Sequence, residues 1–252
     1  MMEGVRPLLS VVVPAYNEAA RLPRTIERVE RFLSGRPHEI VVVDDGSTDG
    51  TVEVARDAAR GPLVVLRNDG NRGKGYAVRR GMLAARGPRR LMTDADLSTP
   101  IEELARLEPC LEAGHDVAIG SRALAGSRIE VRQPWYRENM GRLFNVCVRA
   151  LAVPGVRDTQ CGFKLFSARA AEAVFAATRL DGFSFDVEAL FIARQLGYRI
   201  AEVPVVWRND AATRVGLVGG FRAFPDLLKI RLNDWRGYYA PGRADVPDGN
   251  AL

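Results

Sequence analysis

Residues 8–51 read LLSVVVPAYNEAARLPRTIERVERFLSGRPHEIVVVDDGSTDGT. An apolar run from Leu8 to Val13 ends at Pro14, and Glu39 to Val43 repeats the pattern before two aspartates. Runs that are apolar on both alternating faces are strands covered on both sides. Between them Leu22, Ile26, Val29 and Leu33 recur at helical spacing, which predicts a helix over 18–33. A strand–helix–strand unit of this kind predicts parallel pairing.

Outward from this unit the alternation continues. Helices are predicted over 51–60, 75–86 and 101–113, and strands over 63–66, 90–93 and 116–119. Five strands with intervening helices give an α/β fold with an open, doubly wound, mainly parallel sheet flanked by helices. After Gly120 the pattern changes to an arginine-rich loop, a helix over 139–152, a second loop through Phe166, a helix over 186–196 and a strand over 198–206. No Pro/Gly/Ser linker separates the halves, so a single domain over 1–236 is expected, followed by a flexible tail over 237–252.

The composition narrows the function. With 252 residues, 47% of them hydrophobic, the chain buries a substantial core, which excludes a disordered protein. Of its 36 basic residues only three are lysines (Lys74, Lys164 and Lys229), and the net charge is +5. Arginine's rigid fork favours phosphate or carboxylate partners. Neither zinc-finger spacing nor an RNA-binding aromatic signature is present, so nucleic acid is not the expected partner. Cys110, Cys147 and Cys161 lack CxxC spacing and cannot all pair within one chain, pointing to a reducing compartment and no zinc site. No uncharged stretch approaches the roughly 20 residues a spanning helix needs, and no signal peptide is recognisable.

In a doubly wound sheet ligands sit beyond the carboxyl ends of the strands. Here those ends are acidic: Pro14-Ala15-Tyr16-Asn17-Glu18 after strand one, Asp44-Asp45-Gly46-Ser47 after strand two, and Asp94-Ala95-Asp96 after strand four. The Asp94/Asp96 pair suits a hard divalent cation, Mg2+ or Mn2+, which would keep waters and take diphosphate oxygens. A solvated loop with Asp96 capping the next helix is the alternative. Ser47, Thr48 or Asp49 is expected to cap the second helix, leaving Asp44 and Asp45 to accept hydrogen bonds from a base or ribose. The stretch Gly70-Asn71-Arg72-Gly73-Lys74-Gly75 lacks the Walker spacing, and is either an anion-contacting helix N-terminus or a glycine-rich turn.

Together VVVPAYNEAARLPRTI, VVVDDGSTDGT, NRGKGYAVRRG and TDADLSTP resemble the inverting glycosyltransferases of family 2, which have the glycosyltransferase-A fold. The second half adds Gly120-Ser121-Arg122, Arg137 through Asn145, Asp158 through Phe166, and Phe185-Asp186-Val187-Glu188, and is similar to the polyprenyl-phosphate branch, closest to dolichyl-phosphate glucosyltransferases. The resemblance implies a nucleotide-sugar half over 8–120 and an acceptor half over 121–236. It implies a UDP-glucose donor, a polyprenyl-phosphate acceptor and a metal at Asp94 and Asp96. It carries Pro14, Ala15, Tyr16, Glu18, Asp44, Asp45, Asp94, Ala95 and Asp96 to the nucleotide pocket, with Lys74 at its edge. Arg122, Arg137 and Lys164 match acceptor-phosphate or adjacent positions, joined by Arg208 or Arg214.

A phosphate acceptor needs no protein base. An alcohol acceptor would, and Asp186 or Glu188 is then the candidate, the other role of both being to cap their helix. GDP-mannose as donor, and a soluble or glycan acceptor, are the alternatives, with a non-catalytic sugar-nucleotide binder as a third. The implied location is the cytoplasm, peripheral on the inner face of the cell membrane. Leu217, Phe221, Phe224, Leu228 and Leu232 fall near one helical face with Arg222, Lys229 and Arg231 beside them, which is either a core face or a membrane contact.

Overall fold

A computed structural model describes residues 6–131, 145–150, 152–208 and 217–240, with the backbone alone over 217–223. The strands are β1 (Leu9–Ala15), β2 (His38–Asp44), β3 (Leu63–Arg67), β4 (Arg89–Thr93), β5 (Val117–Ser121), β6 (Arg128–Val131), β7 (Phe163–Ser167), β8 (Ile200–Pro204) and β9 (Val206–Arg208). The helices are α1 (Leu22–Phe32), α2 (Thr51–Ala58), α3 (Lys74–Ala84), α4 (Leu104–Glu112), α5 (Ala168–Ala177), α6 (Phe185–Gln195) and α7 (Leu217–Trp235). A 3-10 turn at Ile101–Glu103 leads into α4, and 145–150 is also helical.

Seven strands form one sheet in the order β3-β2-β1-β4-β7-β5-β8. The β1–β2, β1–β4, β2–β3 and β5–β8 pairs are parallel, as the strand–helix alternation requires. Side chains along β1 and β2 alternate between two buried faces. Val11, Val13, Ile40 and Val42 meet Leu22, Ile26 and Val29 of α1 and Leu104 and Leu107 of α4. Val12, Val41 and Val43 meet Ala77, Val78 and Met82 of α3, in a core that α5, α6 and α7 complete.

The second half departs from the expected pattern. Phe163–Ser167, expected as loop, is the interior strand β7, antiparallel to both β4 and β5. A lysine in the middle of FKLFS breaks the apolar run, yet Phe163 and Leu165 pack on one face of the sheet and Phe166 on the other. The strand expected over 198–206 is two: β8 closes the large sheet and β9 pairs with β6 in a separate ribbon. The helix expected over 139–152 is described only at 145–150, where it is helical. In α7 Leu227 and Ile230 are buried while Leu228 and Leu232 are exposed; the side chains of Leu217, Phe221 and Arg222 lie outside the described residues.

Insertion of β7 positions the site. Because it runs against its neighbours, its amino end lies beside the carboxyl ends of β4 and β5. Register places Lys164 opposite Met92 on one side and Ile119 on the other. Residues from opposite halves of the sequence therefore meet on one rim.

Candidate active site

The rim runs along the ends of β2, β1, β4, β7 and β5. At its first end the loop after β1 is stitched to the turn after β2. The Asn17 amide donates to Ser47 Oγ (2.8 Å), the Glu18 amide to Thr51 Oγ1 (2.9 Å), and the Thr48 amide to Asn17 Oδ1 (2.8 Å). Asn17 has a φ of 54°, a left-handed conformation that asparagine tolerates better than most residues. Pro14 and Ala15 are buried, whereas Tyr16 is exposed at the mouth. The N-cap of α2 is Gly50 rather than Ser47, Thr48 or Asp49, although Asp49 Oδ1 accepts from the Thr51 amide and hydroxyl.

The two aspartates after β2 differ. Asp45 is buried with both oxygens engaged: Oδ1 accepts from Asn68 Nδ2 (2.7 Å) and the Arg72 amide (2.9 Å), Oδ2 from the Gly73 amide (2.8 Å). It organises the glycine-rich segment. Asp44 Oδ1 accepts from the Ser47 amide, while buried Oδ2 has no hydrogen bond and faces Arg67 Nε at 3.3 Å. Asp181 O accepts from the Gly75 and Tyr76 amides, so a carbonyl already occupies the N-terminus of α3. That favours the glycine-rich turn over a helix-end anion site. Gly73, with φ +106°, also lacks room for a side chain: a Cβ would stand 2.4 Å from Asp181 O.

At the centre of the rim, Asp94 Oδ1 accepts from Lys74 Nζ at 2.6 Å. The other Asp94 oxygen lies against Gly162, where an added Cβ would stand 2.0 Å from Oδ2, so any side chain there would push the carboxylate aside. Asp96 Oδ1 accepts from the Ser98 amide (2.8 Å) and does not cap the following helix, whose 3-10 entry begins after Pro100. The turn is fixed by Thr25 Oγ1 donating to Ala95 O (2.6 Å), and it holds Leu97 at a φ of 46°. A leucine in the left-handed region is a strained position that the surrounding contacts must hold in place.

Burial, and then the charge of Asp94, push the Asp96 carboxyl up against the opposing effects of Ser98 and Lys74. Two crowded carboxylates disfavour their charged forms, and a cation between them relieves this. Among the described residues no group of three or more His, Cys, Asp or Glu could hold a metal ion. Two carboxylates nevertheless fit Mg2+ or Mn2+, which retain waters and take substrate phosphates.

Beyond Asp94 stands a second cationic group. Arg122 Nε and Nη2 donate to Asp158 Oδ2 (2.7 Å) and Oδ1 (2.9 Å), and its amide adds a third bond. Its guanidinium also lies 5.3 Å from the Trp207 ring centre. Burial opposes the Arg122 charge, but Asp158 outweighs it and raises the pKa, with Cys161 and Asp94 adding to the effect. Asp158 shows the reverse: burial raises its carboxyl, and Arg122 brings it below the usual range. The Asp158 amide is in turn held by Glu202 Oε1 (2.8 Å). Asp158 and Trp207 had no assigned role in the sequence, although Asp158 opens the motif that contains Lys164 and runs to Phe166.

Lys164 is fully buried and donates to Asp186 and to Cys161 O (2.6 Å). Burial raises the Asp186 carboxyl, while Lys164 and then Lys74 pull it back. Glu188 accepts from the Arg179 (3.0 Å) and Leu180 (2.8 Å) amides and from the Tyr239 hydroxyl (2.6 Å). Neither acid caps α6, whose N-cap is Ser184. Lys74, Asp94, Asp96, Arg122, Lys164 and Asp186 thus gather on one rim, Asp44 and Asp45 lie two strands along, and Arg208 is exposed and paired with Glu130. Arg137 and Arg214 lie outside the described residues.

Comparison with known proteins decides what this rim belongs to. The family described as Glycosyl transferase family 2 matches residues 10–175. The chain belongs to glycosyl transferase family 2. It is an enzyme, a hexosyltransferase resembling the dolichyl-phosphate glucosyltransferase branch. It is 35% identical to a dolichyl-phosphate beta-glucosyltransferase of Dictyostelium discoideum, over 92% of this chain and 77% of that protein. It is 36% identical to the Homo sapiens protein of the same name, over 89% and 75%.

Among solved structures it superposes on glucosyl-3-phosphoglycerate synthase of Mycobacterium tuberculosis with a TM-score of 0.65 at 20% identity, covering 96% of this chain and 82% of that one. Mannosyl-3-phosphoglycerate synthase of Rubrobacter xylanophilus gives 0.67 at 20%, covering 97% and 79%. The fold of this family 2 enzyme is therefore the glycosyltransferase-A fold, mainly parallel with flanking helices. The mycobacterial synthase has been crystallised with Mn2+ and UDP-glucose.

Proposed function

We propose that this enzyme transfers glucose from UDP-glucose to a polyprenyl phosphate of the dolichyl type, with inversion at the anomeric carbon, at the cytosolic face of a membrane. The observation that carries the reading is a carboxylate pair, Asp94 and Asp96, set on one rim with three cationic side chains, Lys74, Arg122 and Lys164. The carboxylates are the groups to hold Mg2+ or Mn2+, Lys74 and Arg122 are the groups to hold two phosphates, and Lys164, fully buried on Asp186, supports the rim from behind rather than touching a phosphate as the sequence expected. The name carried by relatives at 35% and 36% identity supports the acceptor and the sugar.

The chemistry follows from the charges. An acceptor phosphate oxygen attacks C1 while the bond from C1 to the diphosphate breaks. The acceptor is anionic near neutral pH, so no protein group needs to remove a proton. When bound, the divalent cation supplies neutralisation of the departing diphosphate. Lys74 is placed to follow that charge, since its ammonium already lies against Asp94. Arg122, clamped through Nε and Nη2, keeps Nη1 for the acceptor phosphate. Asp186 orients Lys164, and Asp45 shapes the donor side by holding Arg72 and Gly73. Tyr16, Glu18 and Asp44 edge the nucleotide end.

The test is an incubation of the purified protein with radiolabelled UDP-glucose or GDP-mannose, Mn2+ and a short-chain polyprenyl phosphate. Organic-extractable label from UDP-glucose is the expected product. Label from GDP-mannose alone reassigns the donor, and label confined to water-soluble product reassigns the acceptor.

A further inference from the structure

The last described helix has two apolar faces. Leu227 and Ile230 of α7 are buried in the core, and the helix is tied to α6 by Ser184 Oγ donating to Asp226 (2.8 Å) and Gln195 Nε2 donating to Asp234 (2.9 Å). The opposite face carries Leu228, Leu232 and Trp235, exposed at 66%, 41% and 83%. At 100° per residue these three fall within an arc of about 60°. Lys229 and Arg236 lie on one edge of the arc and Arg231 on the other, and all three are exposed. The carboxylates of the same helix, Asp226 and Asp234, are half-buried on the inner side and pair with two of these cations, Asp226 with Lys229 (3.0 Å) and Asp234 with Arg231 (3.6 Å), so the acids sit behind the cations that face outward. Outward, this helix is therefore a hydrophobic stripe with cationic borders.

We propose that this face of α7 docks on an anionic lipid bilayer, lying in the headgroup plane with Trp235, Leu228 and Leu232 inserted. The proposal extends the lipid-acceptor reading of the active site, but its evidence is the surface itself. Sorting charge outward by sign matches an anionic surface, and a tryptophan at the stripe's end suits the boundary between headgroup and acyl chain. Among the described residues no helix is long and apolar enough to cross a membrane, so contact through α7 is interfacial. A second copy of this chain fits poorly, because a two-fold pairing of the stripes sets the Lys229, Arg231 and Arg236 borders against like charge.

Vesicle flotation without nucleotide sugar or polyprenyl phosphate tests this. Wild-type protein is expected to float with phosphatidylcholine vesicles containing phosphatidylglycerol, more weakly with phosphatidylcholine alone. Leu228→Ser, Leu232→Ser and Trp235→Ser combined should weaken partitioning by about tenfold or more on both. Lys229→Glu with Arg231→Glu should weaken it on the anionic vesicles alone. Unchanged melting temperatures and unchanged transfer to a water-soluble short-chain acceptor would show both variants folded.

Wild type that fails to float, or a triple variant that floats like wild type, overturns the proposal. So does a wild-type dimer in sedimentation velocity that the triple variant splits, which would make the stripe a contact between copies. Flotation with no lipid-linked product leaves the surface standing and removes the acceptor reading; product without flotation does the opposite.

Discussion

Two residues with no charge to offer set the geometry at the heart of the rim: Gly162, which lets Asp94 come close, and Trp207, which stands over Arg122. Gly162→Ala is expected to displace the Asp94 carboxylate, because its neighbour is a constrained side chain held by Lys74 rather than a free chain end. Loss of transfer by about a hundredfold or more is the expected result, with a melting temperature within a few degrees of wild type. Initial rates at saturating donor, beside a thermal melt, check both halves. Asp158 acts through another residue, since its carboxylate fixes the Arg122 fork. Asp158→Asn keeps the size but removes the charge and one acceptor oxygen. It should raise the acceptor KM by about tenfold while leaving the donor KM nearly unchanged. Equal changes in both KM values would assign Asp158 a general structural role instead.

At the scale of elements, β7 and α6 carry the second half's contribution, and both are pinned from outside the site. α6 receives Tyr239 from the segment after α7, whose hydroxyl donates to Glu188. Burial raises the Glu188 carboxyl above its usual range, ahead of the opposing hydrogen bonds from Tyr239, Leu180 and Arg179. A group raised in the folded state binds its proton more tightly there than in the unfolded chain. Its stabilising effect is full below the ordinary glutamate range and is lost as pH climbs through the raised folded value. Glu188→Gln removes this titration, so the fall in melting temperature with rising pH should flatten relative to wild type. Melts between about pH 4 and 8 read the difference, and parallel curves would refute it.

For the molecule as a whole, the carboxylates and cations cancel one another without ligand, as Lys74 on Asp94 illustrates. Binding of Mn2+ with UDP is expected to exchange those internal contacts for ligand contacts and to stabilise the fold by mass action. Mn2+ and UDP together should raise the melting temperature more than the sum of either alone. Asp94→Asn combined with Asp96→Asn should abolish the excess. A synergistic shift that survives the double substitution would place the cation elsewhere.

The sequence by itself determined the parallel half of this protein. Val11 to Val13 and Val41 to Val43, separated by the Leu22, Ile26, Val29 stripe, are local patterns whose period states strand or helix without reference to anything distant. The acidic strand ends and their motifs were legible for the same reason, and so was the family. Tertiary structure alone decided the rest. The burial of Lys164 in β7 depends on Asp186, 22 positions away, and the close packing of Gly162 against Asp94 on the antiparallel pairing of β7 with β4. That both oxygens of Asp45 are engaged depended on the glycine-rich segment folding back onto it, whereas Asp44 keeps one oxygen without a hydrogen bond. Periodicity reports how a residue sits within its own element. A buried charge, an engaged carboxylate or a missing side chain takes its meaning from a partner that only the folded chain supplies.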